Sequence, residues 1–393
     1  MMKNKITLVL IMIIVFISEL KSQSFDEILK TIESNNQDIQ AAQKLLESKI
    51  YEYKNMILPE GPEFSYGYFP DNSSNIGSKE TFEISQSFQM PCFYRNQSSL
   101  SKLLTEQERI SYQHFRQTVL AEAKKLLIES IYLTKMSYLL QTRLADAESL
   151  LQAYTKRLET GDVNLLEVNK SKLYLLHIQN QVKTVQTELN SIQKQLIYYN
   201  GGQELNFDLA EYPQILEINA DEITIEKQNN DPELLYASKQ IESSAKMVKV
   251  TRNLQLPKFS MGYAGETVAD EKFRGVVIGL SVPLWSGNSA VKKAKFESQY
   301  LELSSLSMQT KIETETKAQI DKIQSLKKNL DNYSQTLSSV NNIELLKKSL
   351  ELGEISSIEY FTEISYFYQI YDDYLISEKE YQLAVCEMLQ FKL

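Results

Sequence analysis

The sequence predicts a mainly α-helical chain with a β-barrel part: long coiled-coil helices plus four β-strands, internally duplicated, forming one slice of a tube. Three observations lead there. Proline is absent between Pro91 and Pro213 and again after Pro283, which permits helices far longer than the globular average. Apolar residues in those stretches recur in steps of three and four. One set is Ile178, Val182, Val185, Leu189, Ile192 and Leu196; another is Ile323, Leu326, Leu330, Tyr333, Leu337 and Val340. Such steps form coiled-coil seams. Finally, a short alternating aromatic stretch occurs twice, "FSYGY" at 64–68 and "FSMGY" at 259–263.

That repetition belongs to a longer one. Asn35-Asn36 matches Asn229-Asn230, Leu58-Pro59 matches Leu256-Pro257, "ISQSF" (84–88) matches "LSVPL" (280–284), and "ETGDVNLLEV" (159–168) matches "ELGEISSIEY" (351–360). The offsets run from 192 to 198 in constant order, so one unit has been duplicated. Each copy reads as helix, strand, loop, strand, very long helix, turn, helix. The first occupies 23–200, with strands at about 60–91, a long helix at 95–160 and a helix at 165–199. The second occupies 231–393, with strands at about 257–285, a long helix at 287–350 and a helix at 357–391. Residues 201–230 show no clear period and form an irregular equatorial linker. The first long helix would span roughly 100 Å.

The strands alternate with period two. Phe64, Tyr66 and Tyr68 oppose Glu63, Ser65 and Gly67, while Val276, Ile278, Leu280, Val282 and Leu284 oppose Gly275, Gly279 and Ser281. Each strand would run about 9–11 residues, enough to cross a tilted barrel wall. Pro59 and Pro257 mark strand entry and Pro91 and Pro283 strand exit, where a missing amide disturbs no ladder. The loops at 70–79 and 266–272 are polar. Four strands cannot close a membrane barrel, since the smallest has about eight. The sheet therefore either sits in water or is completed by other copies of the chain.

Lys3 and Lys5 precede the apolar run Ile6–Ile17. That run is too short to span a bilayer and reads as a secretory signal peptide, 1–22, cut after Ser22 or Ser24. The exported chain has only two cysteines, Cys92 and Cys386, expected as free thiols rather than a disulfide framework. A net charge of −9 with no basic cluster argues against nucleic acid as a partner. His114 and His177 stand alone on long helices, and no nucleophile–base pair, phosphate loop or metal-ligand spacing occurs. The reading is of a non-enzyme with no cofactor and no metal site.

On these features the chain resembles outer membrane efflux proteins of the TolC family. The resemblance covers nearly everything after the signal. It rests on the duplicated unit, on the segment 256–288 running from "LPKFSMGY" to "GVVIGLSVPLWSGN", and on "RLETGDVNLLEVNKSK" (157–172) and "LELGEISSIEY" (350–360). It implies a homotrimer with a twelve-stranded barrel in outer membrane lipid and a helical tunnel through the periplasm. It also implies docking on a periplasmic adaptor protein and an inner-membrane pump of the RND type. The pattern "GDVNLLEVNKSK" leans toward the heavy-metal, CzcC/CusC-like branch, although no lipidated cysteine follows the signal. A type I secretion channel shares this frame, and an exported coiled-coil structural protein without a channel is the reading from another class. In the family the two helix–turn–helix tips contact the adaptor and line the periplasmic gate. Here they map to Gly161, Asp162, Val163 and Leu166, and to Gly353, Glu354, Ile355 and Ile358. Asp162, Glu167, Glu354 and Glu359 are the candidate gate acids. Tyr66, Tyr68, Phe88, Phe93, Tyr94 and Trp285 are placed near strand ends, where a membrane barrel carries its aromatic girdles.

Overall fold

A computed structural model of the chain describes residues 25–70, 77–207, 209–213, 219–269, 271–283, 287–340 and 342–393. The expected signal peptide at 1–22, most of the loop at 70–79, and Trp285 lie outside the described residues. The elements run α1 (Phe25–Asn35), α2 (Gln37–Asn55), β1 (Glu63–Phe69), β2 (Lys79–Phe88), α3 (Pro91–Glu159) and α4 (Leu165–Tyr199). They continue as α5 (Ala220–Asn230), α6 (Pro232–Asn253), β3 (Lys258–Val268), β4 (Glu271–Ser281), α7 (Gly287–Ser339), α8 (Asn342–Glu351), α9 (Ser357–Met388) and a short 3-10 turn.

Four expectations need correction. The supposed linker contains a helix, α5, that buries only Ile223, so its weak amphipathic signal hid it. The second long helix is two helices, α7 and α8. β1 has seven residues, shorter than the other three strands. The loop at 266–272 is nearly all strand, because the ladder pairs Glu266 with Phe273 and Val268 with Glu271. The break between α1 and α2 falls at Asn36, and that between α5 and α6 at Asp231. Both residues cap the following helix: Asn36 Oδ1 accepts from the Ile39 amide and Asp231 Oδ1 from Glu233 and Leu234. Asp231 is thus the structural counterpart of Asn36, one residue beyond the pair matched in sequence.

The chain divides into two compact units, and each draws on both sequence repeats. One comprises Ala41–Phe115 and Asp221–Thr316; the other takes the residues up to Gln40, Arg116–Ala220 and Lys317–Leu393. Helices α3 and α7 contribute to both.

The first unit holds the sheet, antiparallel throughout in the order β1-β2-β3-β4. Its register preserves the duplication: Phe64 faces Ile84 in one hairpin, and Phe259 faces Leu280 in the other. Directly opposed residues share a face. One face therefore carries Phe64, Tyr66, Phe82, Ile84, Phe88, Phe259, Met261, Tyr263, Val276, Ile278 and Leu280. The other carries mainly small and polar residues, Glu63, Ser65, Thr81, Glu83, Ser85, Ser87, Ser260, Gly262, Ala264, Gly275 and Gly279, together with Phe69, Phe273 and Val277. Much of the apolar face is uncovered: Phe64 is 66% exposed, Val276 68% and Ile278 73%. Helices of this unit are tied by polar bonds more than by a core. Gln107 Nε2 donates to Ser243 Oγ at 2.7 Å, Tyr53 Oη to Glu108 Oε1 at 2.8 Å, and Ser244 Oγ to Ser298 Oγ at 3.0 Å.

The second unit has the apolar core. Ile28 and Ile32 of α1 and Leu127, Ile128, Ile131 and Leu140 of α3 are fully buried, each worth about 1.5–3 kcal/mol of burial. On α4, Ser171, Ile178, Val185 and Ile192 are buried at seven-residue spacing, with Leu196 beside them, which is the seam that the sequence announced. At the end of α4 the chain turns through Gly201 (φ +66) and Gly202 (φ +84). Asn35 Nδ2 donates to Asn200 Oδ1 at 3.0 Å and Asn36 Nδ2 to the Tyr199 carbonyl at 2.9 Å. A Cβ on Gly201 would meet the Asn35 carbonyl oxygen at 2.2 Å, whereas one on Gly202 meets nothing. Gly201→Ala should thus lower stability by about 1–3 kcal/mol, combining strain and displacement of α1. Gly202→Ala carries the strain alone and should lower it less. Thermal unfolding of the two variants checks this; equal losses would mean that the contact with Asn35 does not matter.

Candidate functional site

The two turns that the sequence singled out lie at the ends of α3 and α8, and both have the same construction. At the first, Gly161 (φ +79) ends α3, its amide bonds the Leu158 carbonyl at 3.1 Å, and the Asp162 amide reaches back to Arg157 at 2.8 Å. At the second, Gly353 (φ +73) does the same with Leu350 at 3.2 Å, and Glu354 with Ser349 at 2.9 Å. This is a Schellman closure, which needs a left-handed residue and so selects glycine. The next helix then starts on a cap. Asn164 Oδ1 accepts from the Glu167 amide at 3.1 Å. Ser356 and Glu359 form a reciprocal capping box.

Each acid beside its glycine is held by a hydroxyl from the helix that precedes it. Thr160 Oγ1 donates to Asp162 Oδ2 at 2.6 Å, and Ser349 Oγ to Glu354 Oε2 at 3.2 Å. Glu359 is committed differently. Its carboxylate accepts from the Ser356 amide at 2.8 Å, and these bonds to Ser356 hold its pKa below the usual carboxylate value. Of the four candidate gate acids, Glu359 is therefore a capping residue, while Asp162 and Glu354 stand exposed at equivalent points. Val163 and Ile355 are half-buried beneath the turns. Leu165, Leu166, Leu352 and Ile358 project into solvent, each at least 57% exposed, so each tip presents an acid beside bare aliphatic side chains.

The helices behind the tips are joined by ties that sequence inspection missed. Arg143 of α3 is 4% exposed and grips Asp372 of α9 with two bonds, at 2.9 and 2.6 Å. Its guanidinium stacks on Tyr368 at 4.1 Å, and burial pushes the Tyr368 hydroxyl up to about 12. Lys347 of α8 binds Asp146 of α3 at 2.7 Å. Lys135 bonds Glu378 at 3.0 Å and Glu211 at 3.3 Å, and lies over Tyr212. Lys379 binds Glu129 at 3.3 Å. Tyr174 of α4 meets Phe361 of α9 at 5.2 Å between ring centres, so the helices leaving the two tips are neighbours. One sequence signal was available: Arg143 interrupts the apolar steps Leu140 and Ala147, a charge on a core-facing stripe.

The remaining predicted residues fall as follows. Pro59 and Pro257 lie in the stretches leading into β1 and β3, Pro91 opens α3, and Pro283 follows β4. Tyr66, Tyr68 and Phe88 are on the exposed apolar side of the sheet. Phe93 and Tyr94 are in the first turn of α3, shortly after the end of β2, and Tyr94 Oη accepts from the Gln89 amide at 3.1 Å. Cys92 and Cys386 are both free.

The same architecture is found in known channels. CusC, solved in a study of folding and transmembrane channel formation, superposes with a TM-score of 0.80 at 13% identity, over 93% of this chain and 91% of that one. The CmeC outer membrane channel of Campylobacter jejuni gives 0.80 at 13% identity, over 93% and 85%. VceC, an outer membrane protein of Vibrio cholerae, gives 0.71 at 9% identity, over 94% and 93%. This is a TolC-like channel fold. No family profile and no curated protein matches the sequence itself, so the likeness rests on the architecture of a TolC-like chain and its own residues.

The Arg143–Asp372 tie gives a direct test. Arg143→Met removes the cation and leaves Asp372, partly buried, without its partner. It should cost about 3 kcal/mol. Arg143→Met combined with Asp372→Leu should recover most of that loss. Chemical denaturation of the three proteins decides it; a single variant as stable as the parent would show that the pair holds nothing.

Proposed function

We propose that this protein is the outer membrane channel of a tripartite efflux system, a passive conduit from the periplasm to the exterior. The observation that carries the reading is the sheet: one face dominated by exposed aromatic and aliphatic side chains, an opposite face that is mainly small and polar but also holds Phe69, Phe273 and Val277, and two edge strands that, among the described residues, each pair on one side only. In water such a face is a liability, and in lipid such edges cost several kcal/mol per unpaired group. Closure with further copies resolves both. Three chains supply twelve strands, apolar side to the lipid and polar side to a lumen. A second face also waits for a neighbour. Phe296, Tyr300 and Leu303 of α7 step by four and three, and each is at least 68% exposed, as a coiled-coil seam without its partner would be.

On this reading the helices line a periplasmic tunnel, and the tips dock on an adaptor protein that connects to an inner-membrane pump of the RND type. The aliphatic residues at the tips, Leu165, Leu166, Leu352 and Ile358, supply the contact. The oligomeric claim is checked by mass measurement in detergent together with bilayer conductance. The expected species is a trimer; a stable monomer that conducts ions would overturn it.

Asp162 and Glu354 bring six carboxylates to the tunnel mouth of a trimer. In a narrow opening their fields add, and cations are favoured. Asp162→Asn with Glu354→Gln should reduce cation preference, read from the reversal potential under a salt gradient, with trimer stability unchanged. The preference of the parent should fade toward about 1 M salt, where the screening length is about 3 Å. A reversal potential identical in the double variant would make these acids ordinary solvated helix-end charges.

A further inference from the structure

The apolar side of the sheet is charged at one end only. Reading across the register from the hairpin-turn end, Tyr68, Glu80, Thr267 and Lys272 form the outermost row on that side. Tyr66, Phe82, Gly265 and Arg274 form the next. Below them the rows are Phe64, Ile84, Tyr263 and Val276, then Gln86, Met261 and Ile278, then Phe88, Phe259 and Leu280. Lys272 and Arg274 are exposed, and neither has a carboxylate partner among the described residues. Glu80, the one acid on that side, lies two strands from Lys272, about 10 Å away at ordinary strand spacing. Glu271 belongs to the opposite side of the sheet.

Depth follows from the strand. Val282 is the last apolar residue of β4's outward series among the described residues and is 50% exposed. At about 3.4 Å per residue and a tilt near 40°, Lys272 stands about 26 Å above it and Arg274 about 21 Å. An outer membrane barrel carries an apolar band about 25 Å tall. Lys272 thus reaches the headgroup level, and Arg274 arrives there by extending its side chain upward. The neighbours agree: Tyr66 and Tyr68, whose rings prefer the membrane–water boundary, occupy the same two rows.

We propose that Lys272 and Arg274 bind the phosphate groups of the glycolipid that forms the outer leaflet around the barrel. Two cations with no carboxylate partner among the described residues face outward at headgroup depth, and the complementary charge there is phosphate. Arg offers a planar fork suited to it and Lys a point charge. The inference rests on the membrane reading above, and the test separates the two.

The full-length protein is mixed with phosphatidylcholine vesicles, with and without about 10% lipid A, and with lipid A stripped of its phosphates. Flotation with plain phosphatidylcholine vesicles tests insertion; a protein that stays behind overturns the membrane reading and this one with it. Retained lipid A is then measured by native mass spectrometry. The parent should retain about tenfold more phosphorylated lipid A than Lys272→Gln/Arg274→Gln, from two cations near an anionic surface. The charge-preserving exchange Lys272→Arg/Arg274→Lys should keep the parent's retention, and dephosphorylated lipid A should not distinguish the proteins. Equal retention of phosphorylated lipid A by parent and Gln variant, or a parent that retains the dephosphorylated lipid as well as the phosphorylated one, would overturn the assignment.

Discussion

The outer edges of β1 and β4 have no partner strand among the described residues, and the sheet between them leaves much of its aromatic and aliphatic side exposed. Neither condition is tolerable alone in any solvent. Water penalises the side chains and lipid penalises the amides. On the proposed channel reading a neighbouring copy satisfies the edges and lipid takes the apolar face, so that association and membrane entry are coupled. The exposed heptad stripe of Phe296, Tyr300 and Leu303 makes sense as the helical counterpart of the unpaired strand edge.

Within the second unit, polar ties between helices add specificity to the apolar core. Arg143–Asp372, Lys135–Glu378 and Lys379–Glu129 join α3 to α9 at successive levels and fix their relative height. An apolar seam alone would permit a slip by a turn or a heptad, because Leu and Ile neighbours are interchangeable along it. The charged rungs oppose that slip, since a displaced rung leaves partly buried charges without their partners. Asn36, Asn200 and Gly201 play the same role for α1 and α4.

The strands, the seams and the tip glycines were legible in the sequence because each depends on a local rule: period two, period three and a half, and positive φ. The duplication strengthened each by showing it twice. What stayed hidden depends on distant partners. Arg143 announces a buried charge but not Asp372, more than two hundred residues later. Helix α5 was unreadable because it buries Ile223 alone, and its ends are set by neighbours rather than by an amphipathic stripe. The α1–α2 break was obscured because Asn36 caps a helix inside an otherwise helical run. Glu359 looked like a free acid until the capping box claimed it; the Ser356 spacing could have revealed this.

One asymmetry survives the duplication. The first tip sits at the end of α3, a single uninterrupted helix of 69 residues. The second sits at the end of α8, a helix of ten residues that resumes after α7 has stopped at Ser339. The first tip ends a helix that is packed and tied along its length, whereas the second depends on a sideways bond from Lys347 to Asp146 of α3. The two copies of one duplicated hairpin thus end on supports of different length, and loss of that single bond would be felt at the second tip alone.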